Sequence, residues 1–183
     1  MADELIDVYN EQNESLEAPL MKSEVHRRGL WHRASHIWIY NTKGEILLQL
    51  RAAQKDYYPN VWDVSAAGHI AAGEEPLTAA IRELEEELGL RVTPNALELY
   101  TIAQEKNIYK KILSNEFQYI YFLRFDGDIA TLKIQPEEVE EIRWFGVDFL
   151  ENDLELHPVL YLPPLTYYRE IIAEVRRRSN NLK

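Results

Sequence analysis

The segment from Pro76 to Gly89 constrains this chain more than any other. Pro76 suits the first turn of a helix, where its missing N–H costs nothing, and Gly89 suits the stop, where a left-handed residue is wanted. Two patterns share the helix so predicted. Leu77, Ile81, Leu84 and Leu88 recur at i, i+4, i+7 and i+11 and make a core-facing stripe. Glu83, Glu86 and Glu87 stand at i, i+3 and i+4, within an arc of roughly 100° beside that stripe. Carboxylates this close repel, each pair by about a few tenths of a kcal/mol or more. A divalent cation with a taste for oxygen turns the repulsion into coordination. Taken alone, such a run more often marks a solvated helix face, because Glu is a good helix former.

The surroundings of the helix change that balance. Gly68, Glu74, Arg82, Glu83, Leu84, Glu86, Glu87, Gly89 and Leu90 form one gapless pattern over 23 residues. At average residue usage, a chain this long contains it by chance with a probability of about 10⁻⁷.

Around this segment the chain reads as strands with a few helices. Glu4 to Tyr9 alternates enough for a strand, Asn10 to Glu14 reads as a turn, and Ser23 to Arg28 as a short helical turn. His32 to Tyr40 and Glu45 to Leu50 flank Asn41-Thr42-Lys43-Gly44, a hairpin signal. Extended pieces are expected at Val61 to Asp63 and Ala66 to Ile70, then strands at Leu97 to Gln104, Glu116 to Phe125 and Ile142 to Val147. A last helix is expected over about 165–178, behind Pro163 and Pro164. Strands around two or three helices, in no regular βαβ order, predict one α+β domain over residues 1–183, with residues 1–30 as an N-terminal strand extension.

Composition narrows the function. The formal net charge of −11 without a basic stripe argues against duplex nucleic acid as a partner. With no cysteine, disulfides, thiolate nucleophiles and thiolate metal sites are excluded. An acidic start at Met1-Ala2-Asp3-Glu4-Leu5 and the lack of a long apolar run predict a cytoplasmic protein without a membrane partner.

The nine-position pattern is the Nudix box, and the chain resembles Nudix proteins from about Glu4 to Leu150. The resemblance implies an α/β/α sandwich around a mixed sheet, with a catalytic loop–helix–loop. It also implies a Mg²⁺ or Mn²⁺ cofactor held by Glu83, Glu86 and Glu87 with help from the Gly68 backbone, and a small-molecule diphosphate substrate. Arg82 would pair with Glu74 or a neighbouring carboxylate and hold the helix in register, while Gly68, Glu74 and Gly89 shape the box. The proton of the attacking water would pass to Glu83 or Glu116, a choice the sequence leaves open. A homodimer is left open as well.

A narrower likeness points to the branch that includes isopentenyl diphosphate isomerase. It rests on His32-Arg33-Ala34, Tyr58-Pro59-Asn60-Val61-Trp62, Ala67-Gly68-His69 and Asn115-Glu116. It implies a second metal site at His32, His69 and Glu116, with His26 matching a further histidine at an offset of one residue. Two departures matter: Ala67 stands where the isomerase has its catalytic cysteine, and Ser114 where it has a second metal-binding glutamate. An alanine cannot titrate, so hydrolysis of a nucleoside diphosphate derivative or a prenyl diphosphate is the leading expectation. An isomerase-like enzyme and a non-catalytic ligand-binding module are the alternatives. His36 is expected to be a hydrogen-bonded structural residue.

For the substrate, Arg51 and Lys55 are candidate phosphate clamps, and Tyr58 and Trp62 candidate stacking surfaces, with loop or core packing the plainer reading for both aromatics. Lys106, Lys110 and Lys111 with Tyr109 form a second basic cluster, expected in a loop. The acidic run at Glu137, Glu138, Glu140 and Glu141 reads as a solvated segment.

Overall fold

A computed structural model of the chain describes residues 3–16 and 19–180. A long central strand, β3 (Trp31–Tyr40), would by the hairpin reading pair along its length with the strand that follows it. To keep the labels in chain order, the elements are β1 (Leu5–Ile6), β2 (Leu20–Met21), α1 (Lys22–Arg28), β3, β4 (Glu45–Arg51), β5 (Trp62–Asp63), β6 (Ala66–His69), α2 (Pro76–Leu88), β7 (Leu97–Tyr109), β8 (Ile112–Arg124), β9 (Val139–Gly146), α3 (Val147–Leu156) and α4 (Leu165–Asn180).

The turn forms as expected: the Asn41 side-chain oxygen accepts from the backbone of Lys43 and Glu45, and Gly44 supplies the positive φ. Yet β3 and β4 share only the rungs Ile39↔Leu47 and Tyr40↔Ile46 before they diverge. The edge so freed on β3 is taken by β6, antiparallel from Ala34↔His69 to Ile37↔Ala66. The other edge runs parallel to β8 from Trp31↔Asn115 to Tyr40↔Arg124. Beyond it, β8 pairs antiparallel with β7, while β4 carries β5 and β9. The sheet is mixed, as expected.

Side chains alternate across this sheet with the strand period of two. Ile37, Ile39, Tyr121 and Leu123 pack on one face with Ala80, Leu84 and Leu88 of α2. Trp38, Tyr40, Ile120 and Phe122 pack on the other with Tyr168, Ile171, Ile172 and Val175 of α4 and Leu150 and Leu154 of α3. Helices thus cover both faces. Leu84 and Leu88 are fully buried, each such side chain stabilising the fold by roughly 1.5–3 kcal/mol.

Helix α2 has the bounds read from its caps. Gly89, at φ 64°, lets its own N–H and that of Leu90 return to the carbonyls of Glu85 and Leu84. The amides of Lys133 and Gln135 then satisfy the carbonyls of Leu88 and Glu87.

Several expected boundaries differ. In place of a strand over Glu4 to Tyr9 there are two residues, Leu5–Ile6, paired with β2. There are four helices among the described residues, because Val147 starts α3 and does not end a strand. Lys106 lies within β7, and Lys110 and Lys111 form the tight turn of the β7–β8 hairpin, not a loop; Lys110 has φ 56°. Strand β9 begins inside the acidic run, at Val139, and α4 continues to Asn180. Met1, Ala2, Glu17 and Ala18 of the expected N-terminal extension, and the last three residues, lie outside the described residues.

Candidate functional site

The register of β6 turns Gly68 toward α2 and Ala67 and His69 toward the opposite face of the sheet. A β-carbon at position 68 would collide with the Glu83 carboxylate, Oε1 first. Glycine suits the position because the end of the Glu83 side chain fills the space a β-carbon would take. Across the same junction Ser35 Oγ donates to Pro76 O at 2.8 Å, and Ala67 N and Gln49 Nε2 donate to Glu87 Oε2 at 3.1 and 3.2 Å.

Arg82 fastens the loop to the helix. Its Nε and Nη2 reach the two oxygens of Glu74 at 3.0 and 2.9 Å, and Nη2 also reaches His69 O at 3.1 Å. Nη1 reaches Glu83 Oε1 at 2.6 Å and Glu86 Oε2 at 3.1 Å. Only a planar guanidinium spans four groups in this way. Its position between Glu83 and Glu86 offsets the repulsion that the sequence implied.

The three helix carboxylates line one cavity wall and turn to different protein partners. Glu83 and Glu87 are buried and Glu86 is exposed, with Glu83 and Glu86 turned to Arg82 and Glu87 to Gln49 and Ala67. Burial raises the Glu83 carboxyl above its ordinary range. Burial, and then the charge of Glu83, push the Glu87 carboxyl up to about 8.

A convergent set lies on the other side of β6. His26 of α1, His32 of β3 and His69 of β6 bring ring nitrogens within 4.8 Å of one another, the one such group among the described residues. His69 Nε2 and His26 Nε2 are 3.2 Å apart. His32 Nδ1 lies 3.0 Å from Leu30 O, so Nδ1 carries a proton, and in the neutral ring Nε2 presents the lone pair. That Nε2 is buried and has no hydrogen-bond partner among the described residues. The rung His32↔Glu116 places Glu116 Oε1 3.7 Å from it. Burial pulls the His26 imidazole down to about 4 and His69 well below its usual range, so both are neutral near pH 7. Burial would raise Glu116, but the contact with His32 and the charges that His32, His36 and His69 carry when protonated outweigh it and lower the carboxyl well below its usual range. Neutral imidazoles, one carboxylate and an orphaned lone pair fit a divalent cation of the Mn²⁺ or Zn²⁺ type.

Both groups line a single cavity of about 920 Å³, which includes His26, His69 and Glu116 together with Glu83, Glu86 and Glu87. Arg51 and Lys55 line it too, but both are engaged. Arg51 holds Asp63 at 2.9 Å and the carbonyls of Tyr57 and Tyr58, and Lys55 is bonded to Glu138. Glu138 therefore belongs to the cavity wall and not to a purely solvated run. Trp62 is a correction: it is buried in the core against Phe145, at a ring distance of 4.9 Å, away from the cavity. Tyr58 also lies outside the lining, packed 4.1 Å from the Tyr109 ring. Gly89 acts only at the helix end.

Comparison with known proteins joins these observations. The family model described as "NUDIX domain" matches residues 30–162. The chain belongs to the Nudix family. It is 36% identical to Nudix hydrolase 3 of Arabidopsis thaliana over 89% of its own length, yet spans only 22% of that protein. It is 34% identical to an uncharacterized Nudix hydrolase of Clostridium acetobutylicum, covering 85% of this chain and 78% of that one. It is 33% identical to an isopentenyl-diphosphate Delta-isomerase of Serratia proteamaculans, covering 75% and 74%. The fold matches the crystal structure of a Deinococcus radiodurans protein with a TM-score of 0.68 at 22% identity, over 95% of this chain and 98% of that one.

Within this Nudix domain, Ala67 and Ser114 both line the cavity. Ser114 Oγ donates to Glu116 Oε1 at 2.7 Å, and Gln118 Nε2 donates to Glu116 Oε2 at 3.0 Å. Sequence reading missed Gln49, Gln118 and Tyr167 as site residues. Only the strand register of Gln118 beside Glu116, two residues away, carried a signal in advance.

Proposed function

We propose that this Nudix domain hydrolyses a diphosphate linkage, with Mg²⁺ or Mn²⁺, in a nucleoside diphosphate derivative or a prenyl diphosphate. The observation that carries the reading is the opening of the box carboxylates and of His26, His69 and Glu116 into one cavity, with His32 buried behind them and an untitratable Ala67 beside them. Residues of the N-terminal segment and of α4 enter that cavity, so the chain acts as one unit.

Glu83, Glu86, Glu87 and the Gly68 carbonyl would hold one cation, and His26, His32, His69 and Glu116 a second. Bound cations supply neutralisation of the diphosphate oxygens and Lewis acidity. Arg82 orients Glu83 and spares it from its neighbours' charge. Glu83, raised by burial, suits proton acceptance near neutral pH better than Glu116, which is held ionised and suits ligation. Lys110 and Lys111, exposed at the hairpin turn on the cavity lining, are placed to meet substrate phosphates.

The test is phosphate release, coupled through pyrophosphatase and phosphatase to tell the products apart, from nucleoside di- and triphosphates, nucleotide sugars, dinucleotides and prenyl diphosphates, with each cation in turn. Release from one class names the substrate group. Binding without release supports a non-catalytic module, and double-bond migration without release supports an isomerase.

A further inference from the structure

Glu116 sits between two histidines of β3, His32 and His36, and the hydrogen bonds behind those rings differ in direction. Trp38 Nε1 donates to Tyr167 Oη at 2.8 Å. An indole can only donate, so the Tyr167 hydroxyl proton is left to point elsewhere. The other partner of that hydroxyl is His36 Nδ1, at 3.2 Å. Tyr167 is thereby free to donate to Nδ1, the arrangement that leaves the remaining ring proton of neutral His36 on Nε2, on the side of the Glu116 carboxylate. That Nε2 lies 3.9 Å from Glu116 Oε2, beyond a hydrogen bond but directed at the carboxylate. His32 is the reverse case: its Nδ1–H is spent on Leu30 O, and its Nε2 lone pair faces Glu116 Oε1 at 3.7 Å.

We propose that His36 is a positioning residue, locked by the Trp38–Tyr167 pair as the Nε2–H tautomer, which orients Glu116 so that Oε1 is presented to a cation shared with His32. The division of labour is between two histidines four residues apart on one strand face. His32 offers a lone pair, and His36 offers a proton. Oε2 is then held by Gln118 and faced by the His36 N–H, and Oε1 is held by Ser114, leaving Oε1 with a free lone pair beside His32. The device also ties the C-terminal helix to the site, because Tyr167 belongs to α4. It rests on the proposed role of Glu116 as a cation ligand, and on no particular substrate.

The test uses the full chain labelled with ¹⁵N-histidine and free of metal, and needs no turnover. Long-range ¹H–¹⁵N correlation is expected to show His36 protonated at Nε2 and His32 protonated at Nδ1. Tyr167→Phe keeps the ring and removes the hydroxyl, and is expected to shift or mix the His36 tautomer while leaving His32 unchanged. Mn²⁺ titrated by calorimetry is expected to bind about 10- to 100-fold more weakly to His36→Phe, the range for loss of a group that orients a ligand. His36→Gln, which retains an N–H donor, is expected to recover most of that loss. An Nδ1–H tautomer for His36, or unchanged Mn²⁺ affinity in a folded His36→Phe protein, overturns the assignment. If Mn²⁺ binds as expected while no diphosphate is cleaved, the hydrolase reading fails and the positioning role stands.

Discussion

Gly68 and Glu83 occupy one space: the carboxylate of Glu83 fills the volume that any β-carbon at position 68 would need. The obstructed group is the far end of a flexible side chain, so substitution costs site geometry before it costs stability. Gly68→Ala is expected to fold with a Tm close to that of the original protein, to displace Glu83, and to lower cation-dependent turnover by about 100-fold, as misplacement of a reacting group by an ångström does. A melting curve and a rate measurement on the same sample check both halves.

Burial places a pH dependence on the cation-free protein. The Glu87 carboxyl rises from 4.5 to about 8 on folding. Its contribution to stability is whole below 4.5 and is lost as pH rises through about 8. The Lys55 ammonium, pushed down by burial from 10.5 to about 8, acts in the next window, where stability rises with pH. Tm measured without metal is expected to fall between pH 4.5 and 8, and Glu87→Gln to flatten that fall while abolishing turnover. An unchanged slope in Glu87→Gln contradicts the assignment.

Arg82 contacts Glu74, Glu83, Glu86 and His69 O through one guanidinium. Lysine has neither the fork nor the reach to replace it. Arg82→Lys is expected to lose about 1–3 kcal/mol in denaturant unfolding, and to reduce turnover by releasing Glu83. Equal stability and rate would show that the network contributes nothing.

Helix α2 was legible to the residue because its stop signals are local and its apolar period is regular. The mixed sheet was legible in kind but not in pairing. Which strand takes the edge of β3 depends on where β4 diverges, and no local signal marks that. Helix α3 was hidden by Val147, which suits a strand end as well as a helix start. The site was legible as types of residue. The box glycine, the arginine and its Glu74 partner were found where their chemistry required them. What sequence could not show was commitment: Arg51 is spent on Asp63 and two carbonyls, and Lys55 on Glu138. The nearness of His26 to His69, across three intervening strands, was legible only through the family resemblance and with an offset of one residue.

The most direct test of the account is hydrolysis of the responsive substrate in H₂¹⁸O, with the products weighed by mass spectrometry. Water attack on phosphorus, supported by the box carboxylates and lost in Glu87→Gln, predicts one ¹⁸O in one of the two phosphate-bearing products and none in the other. Release of a labelled alcohol, or a migrated double bond with no diphosphate cleaved, would contradict it.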